Sequence, residues 1–158
     1  MGSAAAVSRR RNVMTKTQNP DAAAVAEAEA SLREEHRQMA DLLNRIRGET
    51  GLPALRTLLD ELHTTLKEHY AHEEYPGGLY DSMGALSREF RDIVRQLVDE
   101  HYRMLSAVRG LSRRARDAGE QAPKDLLQEA HQIVASLRSH ESREHELAAA
   151  ALRRAENR

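Results

Sequence analysis

Histidine and glutamate recur along this 158-residue chain at spacings that could bind metal ions. The pattern L-x-x-H-x-x-x-E occurs twice, as LKEHYAHE at 66–73 and as LRSHESRE at 137–144. A second pattern has a glutamate before a histidine and a methionine three residues after it, in REEHRQM at 33–39 and VDEHYRM at 98–104. On a helix, residues four apart share a face, so each H-x-x-x-E pair presents an imidazole and a carboxylate together. The alternation of the two patterns indicates a duplicated helical hairpin.

The absence of cysteine excludes disulfides, thiolate metal sites and cysteine nucleophiles. Imidazole and carboxylate ligands without thiolates favour iron, manganese or zinc. If the glutamates of both H-x-x-x-E pairs bridged two metal ions, and four neutral histidines bound them as two per ion, each six-coordinate ion would still have open positions. Hydroxide, dioxygen, peroxide or nitric oxide could bind there, so such a centre is reactive rather than only structural.

Four predicted helices carry these residues. Glycine and proline are scarce and aromatic residues make up 3% of the chain, which favours an all-α protein. The first helix is predicted to begin at Asn19-Pro20-Asp21. The predicted bounds are 20 to about 47, 53 to about 74, about 85 to about 117, and 123 nearly to the C-terminus. Short connections favour an antiparallel up-down-up-down four-helix bundle.

An apolar stripe runs along each predicted helix, and one histidine interrupts each stripe. These histidines are His36, His69, His101 and His140, and Glu73 and Glu144 follow on the same stripes. Antiparallel neighbours place these positions at one height to within about one helical turn. Four imidazoles and two carboxylates are therefore predicted to converge inside the bundle. The other histidines fall beside the stripes: His63, His72, His131 and His145.

Other metal sites and catalytic motifs fit less well. Ferritin-like proteins use Glu-x-x-His, but no glutamate stands three residues before any of the eight histidines. The motifs of zinc proteases, phosphate-binding loops and nucleophile elbows are missing. A mononuclear zinc site at His69, His72 and Glu73 would leave the other stripes unexplained. A metal-free layer of hydrogen-bonded histidines and glutamates stays open as an alternative.

The repeated His…His-x-x-x-Glu pattern resembles the hemerythrin-like, HHE cation-binding family over about residues 28–152. The resemblance implies a hemerythrin-like bundle with a non-haem centre of two iron ions, with zinc or manganese less favoured. The ligands it implies are His36, His69, Glu73, His101, His140 and Glu144.

The chain departs from the oxygen-carrying hemerythrins, which place two histidines one turn apart on the third helix and an aspartate five residues after the last histidine. Here Leu97 and Leu105 flank His101, and residue 145 is histidine. The set is more similar to the four-histidine, two-glutamate version in many bacterial hemerythrin-like proteins and in the iron- and oxygen-sensing domain of a eukaryotic F-box ubiquitin-ligase subunit. Reversible oxygen transport is therefore not expected, and His72 or His145 is a candidate for an additional ligand.

The expected function is binding of, or reaction with, a small diatomic ligand or peroxide, in sensing, scavenging or iron handling. The alternatives are a peroxide-decomposing, catalase-like enzyme and a zinc-bound or metal-free structural bundle. A net charge of −1 with interspersed signs gives no indication of a nucleic-acid surface. No apolar run approaches the length of a membrane span, and no N-terminal signal-peptide pattern is present, which predicts a cytoplasmic protein.

The chain is predicted to contain a disordered basic tail at 1–18 and a single bundle domain at 19–157. Met39 and Met104 are predicted to pack in the core. Tyr70 and Tyr102 each directly follow a candidate ligand and are predicted to point away from the stripe.

Overall fold

The computed structural model describes residues 19–119 and 124–157, and all regular structure within these ranges is helical. Four long helices and one short helix follow in the order α1 (Pro20–Gly48), α2 (Leu52–Glu74), α3 (Leu79–Gly84), α4 (Arg88–Asp117) and α5 (Lys124–Glu156). The predicted tail at 1–18 and the turn residues 120–123 lie outside the described residues. The long helices confirm the all-α prediction.

Local sequence signals explain where the first and fourth helices begin. The Asn19 side chain accepts a hydrogen bond from the backbone N–H of Asp21, and Pro20 occupies the first helical position. At α4, the Ser87 hydroxyl accepts a hydrogen bond from the backbone N–H of Phe90. This cap starts α4 at Arg88, three residues later than predicted, because a serine can satisfy the free N–H groups of the first turn.

The connection between α2 and α4, predicted to be a loop, contains α3. Gly77 adopts a φ of 86°, and its N–H donates to the Asp81 carboxylate. Gly78 allows a close approach, since a Cβ there would lie 2.6 Å from the His72 carbonyl oxygen. The turn directs Leu79, Tyr80 and Met83 into the protein, where all three are buried.

Each long helix packs against two others, because α1 and α4 both contact α2 and α5. The buried apolar side chains form two clusters along the bundle. The α2-side cluster includes Met39, Leu43, Leu59, Val108 and Ile133. The α3-side cluster includes Val25, Leu79, Phe90, Leu97 and Ala151. Residues of the predicted stripes contribute to both clusters, whereas Leu79 comes from α3, outside the stripes. The histidines and glutamates of the stripes fall between the two clusters.

None of the described helices combines the length and the apolar character needed to cross a membrane.

Candidate metal centre

The six predicted ligands meet in one layer between the two apolar clusters. This layer receives His36 from α1, His69 and Glu73 from α2, His101 from α4, and His140 and Glu144 from α5. Five of the six residues are buried, and the side chain of His36 is 12% exposed. The helix periodicity predicted that these six residues lie at one height in the bundle, and the structure places them there.

Distances between the inward-facing atoms show how tightly the layer is packed. His69 Nε2 lies 2.8 Å from Glu73 Oε1, and His101 Nε2 lies 2.9 Å from His140 Nε2. The second Glu73 oxygen lies 3.4 Å from His101 Nε2. His36 Nε2 stands 3.7 Å from Glu73 Oε1 and 4.0 Å from Glu144 Oε2. Both carboxylates are therefore placed among the imidazoles.

The side chains form two adjacent groups, in each of which the possible ligand atoms lie within 4.8 Å of one another. One group contains His36, His69, Glu73 and Glu144, and the other contains His101, His140 and Glu144. Because Glu144 belongs to both, its carboxylate could contact cations in both positions. The arrangement fits two neighbouring ions better than one.

Five buried polar atoms in this layer have no hydrogen-bond partner among the described residues. They are His36 Nε2, both carboxylate oxygens of Glu73 and both of Glu144. The closest contact of these oxygens is the 2.8 Å approach of His69 Nε2 to Glu73 Oε1, which becomes an ion pair only if His69 is protonated. Buried polar atoms without partners cost about 1–3 kcal/mol each. Cations would satisfy all five, so the residues present fit a metal.

Outer carboxylates hold three of the four imidazoles in orientation. Glu35 lies 3.0 Å from Nδ1 of His69, Glu74 lies 2.7 Å from Nδ1 of His101, and Glu100 lies 2.9 Å from Nδ1 of His140. With the proton on Nδ1, each ring turns its Nε2 lone pair toward the layer. Metal-binding histidines in proteins are commonly oriented in this way.

These three glutamates were not among the predicted site residues, although the sequence contained a signal for two of them. Glu35 and Glu100 each precede a predicted ligand histidine in the repeated Glu-His pair. Each contacts the histidine of the next long helix, Glu35 contacting His69 and Glu100 contacting His140. The duplicated sequence pattern therefore corresponds to a duplicated contact.

The two extra candidate histidines do not join either group of possible ligands. His72 is exposed on α2, and its Nδ1 lies 2.6 Å from Glu35, so it supports the layer from outside. His145 is also exposed, and its Nδ1 donates to the Glu141 carbonyl. Its ring lies 4.9 Å from that of His36.

The prediction for Tyr70 was wrong, whereas Tyr102 is 65% exposed as predicted. Tyr70 is buried, and its ring stacks on His101 at 3.5 Å between centroids. Its hydroxyl donates to Met104 Sδ. A residue one step from the ligand stripe still faces the interior when a neighbouring helix covers it, and α4 covers Tyr70.

A second buried tyrosine, Tyr80, reaches the layer from α3. Its hydroxyl lies 3.0 Å from His101 Nε2, and its ring also stacks on that imidazole. Tyr80 stands in the connection between the long helices, where no periodic pattern marks a residue as buried.

Burial and mutual repulsion determine the protonation of the two inner carboxyls. Burial and the Glu73 carboxylate raise the pKa of Glu144 well above its ordinary value. Burial would raise the pKa of Glu73 as well, but His36 and His69 approach it closely and lower its pKa. Without a cation, one carboxyl therefore keeps its proton, as expected for two carboxyls in a shared buried site.

The imidazoles of the layer also differ in their pKa values and so in their protonation. Burial lowers the pKa of His101 to about 3 and also lowers that of His140, so both rings are neutral and available to a metal. Burial opposes charge on His69 too, but Glu73 and Glu35 raise its pKa to about 9. A proton on His69 thus takes the place that a cation would occupy.

Comparison with known protein families agrees with this geometry. The family model described as the hemerythrin HHE cation binding domain matches residues 28–152, which include all six predicted ligands. Comparisons with curated proteins and with solved structures gave no significant match. Since the matched residues make up most of the chain, the protein belongs to the hemerythrin HHE cation-binding domain family.

Proposed function

We propose that this protein binds two iron ions in a non-haem centre that binds or reacts with dioxygen, peroxide or nitric oxide. The observation that carries the proposal is the set of five buried, unpartnered atoms on His36, Glu73 and Glu144. In a metal-free core, protons on Glu144 and His69 could compensate only part of this layer, whereas two cations would use all five atoms.

Each residue has a role in this proposal. His36, His69 and Glu73 would hold one ion, His101 and His140 would hold the other, and Glu144 would contact both. Glu73 and Glu144 would supply the nearest negative charge for the divalent ions. Glu35, Glu74 and Glu100 would add three further carboxylates behind the imidazoles.

Iron suits this donor set because imidazole and carboxylate without thiolate are typical of reactive non-haem iron sites. When bound, iron would supply a change of oxidation state and open coordination positions. The protein would supply a rigid shell, with apolar clusters that exclude water on both sides. Since none of the six side chains is more than slightly exposed, the shell favours small ligands over larger substrates.

Iron loading of the purified protein tests the proposal. Wild type should bind two irons per chain and show the near-ultraviolet absorption of a coupled diferric pair after exposure to air. His101→Ala should bind at least one iron markedly more weakly, because loss of an outer partner alone costs about 10–100-fold in affinity. His131→Ala, which removes an exposed histidine outside the layer, is the matched control and should behave as wild type.

Three results would count against the proposal. The first is a stoichiometry well below two irons in wild type, and the second is a preference for zinc with no iron uptake. The third is an unchanged iron content in His101→Ala. Peroxide turnover by the same proteins separates an enzyme from a binding protein, since turnover that persists in His101→Ala would not belong to this centre.

A further inference from the structure

The two groups of ligand atoms are unequal in number. His36, His69, Glu73 and Glu144 offer four side chains to one position, but the group of His101, His140 and Glu144 offers three. The Tyr80 hydroxyl lies beside this second group, 3.0 Å from His101 Nε2. That nitrogen faces the layer because Glu74 holds the opposite nitrogen of the ring.

The spacing of the Tyr80 oxygen matches that of ligand atoms around one ion. Ligand atoms about 2.0–2.1 Å from a six-coordinate ion lie roughly 3 Å from their neighbours. His140 Nε2 lies 2.9 Å from His101 Nε2, and the Tyr80 oxygen lies 3.0 Å from the same atom. The phenol oxygen therefore stands at nearly the same distance from His101 Nε2 as does Nε2 of the proposed ligand His140.

The fold also holds Tyr80 firmly in this place. The residue is 3% exposed, and its neighbours Leu79 and Met83 anchor α3 in the α3-side cluster. The ring of Tyr80 stacks on His101 with 5.4 Å between centroids. Burial and stacking on His101 therefore restrict the movement of the hydroxyl away from the layer.

Tyr70 provides an internal contrast. It is equally buried, and it stacks on the same imidazole, but its hydroxyl donates to Met104 Sδ. Of these two tyrosines, Tyr80 is the one whose oxygen approaches the inward nitrogen of His101.

We propose that the Tyr80 phenol oxygen is a seventh protein ligand of the centre, at the position of His101, His140 and Glu144. This assignment rests on the proposed di-iron function. On binding, the oxygen would donate an electron pair to the cation, and the phenolic proton would pass to water, as for other ligands that deprotonate when they bind a metal. The second position would then have four protein ligands, as the first does.

Optical and resonance Raman spectra of the iron-loaded, air-oxidised protein test this assignment. Wild type should show a visible phenolate-to-iron charge-transfer band, and excitation in that band should enhance phenolate ring vibrations. Tyr80→Phe should lose both signals while it keeps the ring that packs on His101. Tyr70→Phe, the matched control, should retain them. Circular dichroism of the metal-free variants checks that both are folded.

The outcomes separate the two proposals. Two bound irons in wild type without a phenolate band, or a band that persists in Tyr80→Phe, would overturn the tyrosine assignment alone. A wild-type protein that binds no iron would overturn the di-iron function and the assignment together. The wild-type Raman spectrum decides the presence of a phenolate even if a variant fails to fold.

Discussion

At the scale of single residues, the centre depends on how each imidazole is turned. Carboxylates contact Nδ1 of His69, His101 and His140, so that Nε2 faces inward in all three rings. Glu35 contacts two histidines, because one carboxylate oxygen lies beside His69 and the other beside His72. A ring without this contact could rotate, and its lone pair would no longer be held in place.

We therefore expect Glu35→Gln to weaken metal binding by about 10–100-fold while the fold is kept. The adjacent Glu34 is a matched control, because its carboxylate contacts Arg37 and Gln38 on the surface of α1. Chelator competition measures the affinities of both variants. Equal affinity of Glu35→Gln and Glu34→Gln would contradict the orienting role of Glu35.

At the scale of elements, the connection between α2 and α4 contributes directly to the centre. It begins at Tyr75, directly after the pair Glu73 and Glu74, and it carries Tyr80 into the layer. The tight turn at Gly77 and Gly78 sets the direction of α3. The position of Tyr80 in the layer therefore depends on the geometry of this turn.

Two glycine substitutions are expected to have opposite effects on the stability of the metal-free protein. In Gly78→Ala, the added Cβ would lie within 2.6 Å of the backbone at His72, so we expect a loss of roughly 1–3 kcal/mol. In Gly110→Ala, within α4, the Cβ meets no atom within 4 Å. Alanine should there raise stability by about 0.5–1 kcal/mol, because glycine is the poorer helix former.

Urea unfolding of the two variants and wild type measures both effects. A neutral or stabilising Gly78→Ala would show that the turn can relax without cost, contrary to the packing described above. An unchanged Gly110→Ala would show that helix propensity does not limit stability in α4.

At the scale of the whole molecule, a charged layer separates two apolar clusters. Its inner carboxyls, Glu73 and Glu144, are fully buried, and among the described residues their ion-pair partners are histidines rather than lysine or arginine. Cations would neutralise this layer and tie all four long helices together. Metal binding should then act as folding free energy for the bundle as a whole.

Removal of metal by a chelator should lower the melting temperature. It should also make the stability of the protein decrease with rising pH in the alkaline range. In the metal-free protein, the pKa of His69 is about 9, above its unfolded value of 6.5. The folded state therefore binds more protons in this interval, and stability falls as pH rises through it. The raised pKa of Glu144 acts in the same direction, because stability also falls as pH rises above the ordinary pKa of a glutamate.

Urea midpoints at about pH 7.5 and pH 9.5 measure this effect, since the pKa of His69 in the folded protein, about 9, lies between them. Metal-free protein should be less stable at the higher pH, whereas preloaded protein should show a smaller decrease because the cation replaces the proton. Below about pH 6, protons compete with metal for the imidazoles and the advantage of loading should shrink. Equal melting temperatures with and without chelator would indicate a metal-free structural bundle.

The duplicated pattern shows how far sequence reasoning reaches. The stripes and the six inner residues follow from a helix period of 3.6 and from i,i+4 spacing, which are local properties of a chain. The burial of residues beside a stripe does not follow from this periodicity. Tyr70 and Tyr102 occupy the same position after a predicted ligand histidine, yet the first is buried and the second is exposed.

The sequence by itself thus determined the helices, their inward faces and the imidazole and carboxylate donors on them, because periodicity specifies what shares a face. Only the tertiary structure decided which glutamates turn the rings, and that Tyr70 and Tyr80 flank His101. Those contacts join different helices, and their partners depend on which neighbour covers the flank of each stripe. The short helix α3 was likewise decided by packing, because its buried side chains complete a cluster formed by α1, α4 and α5.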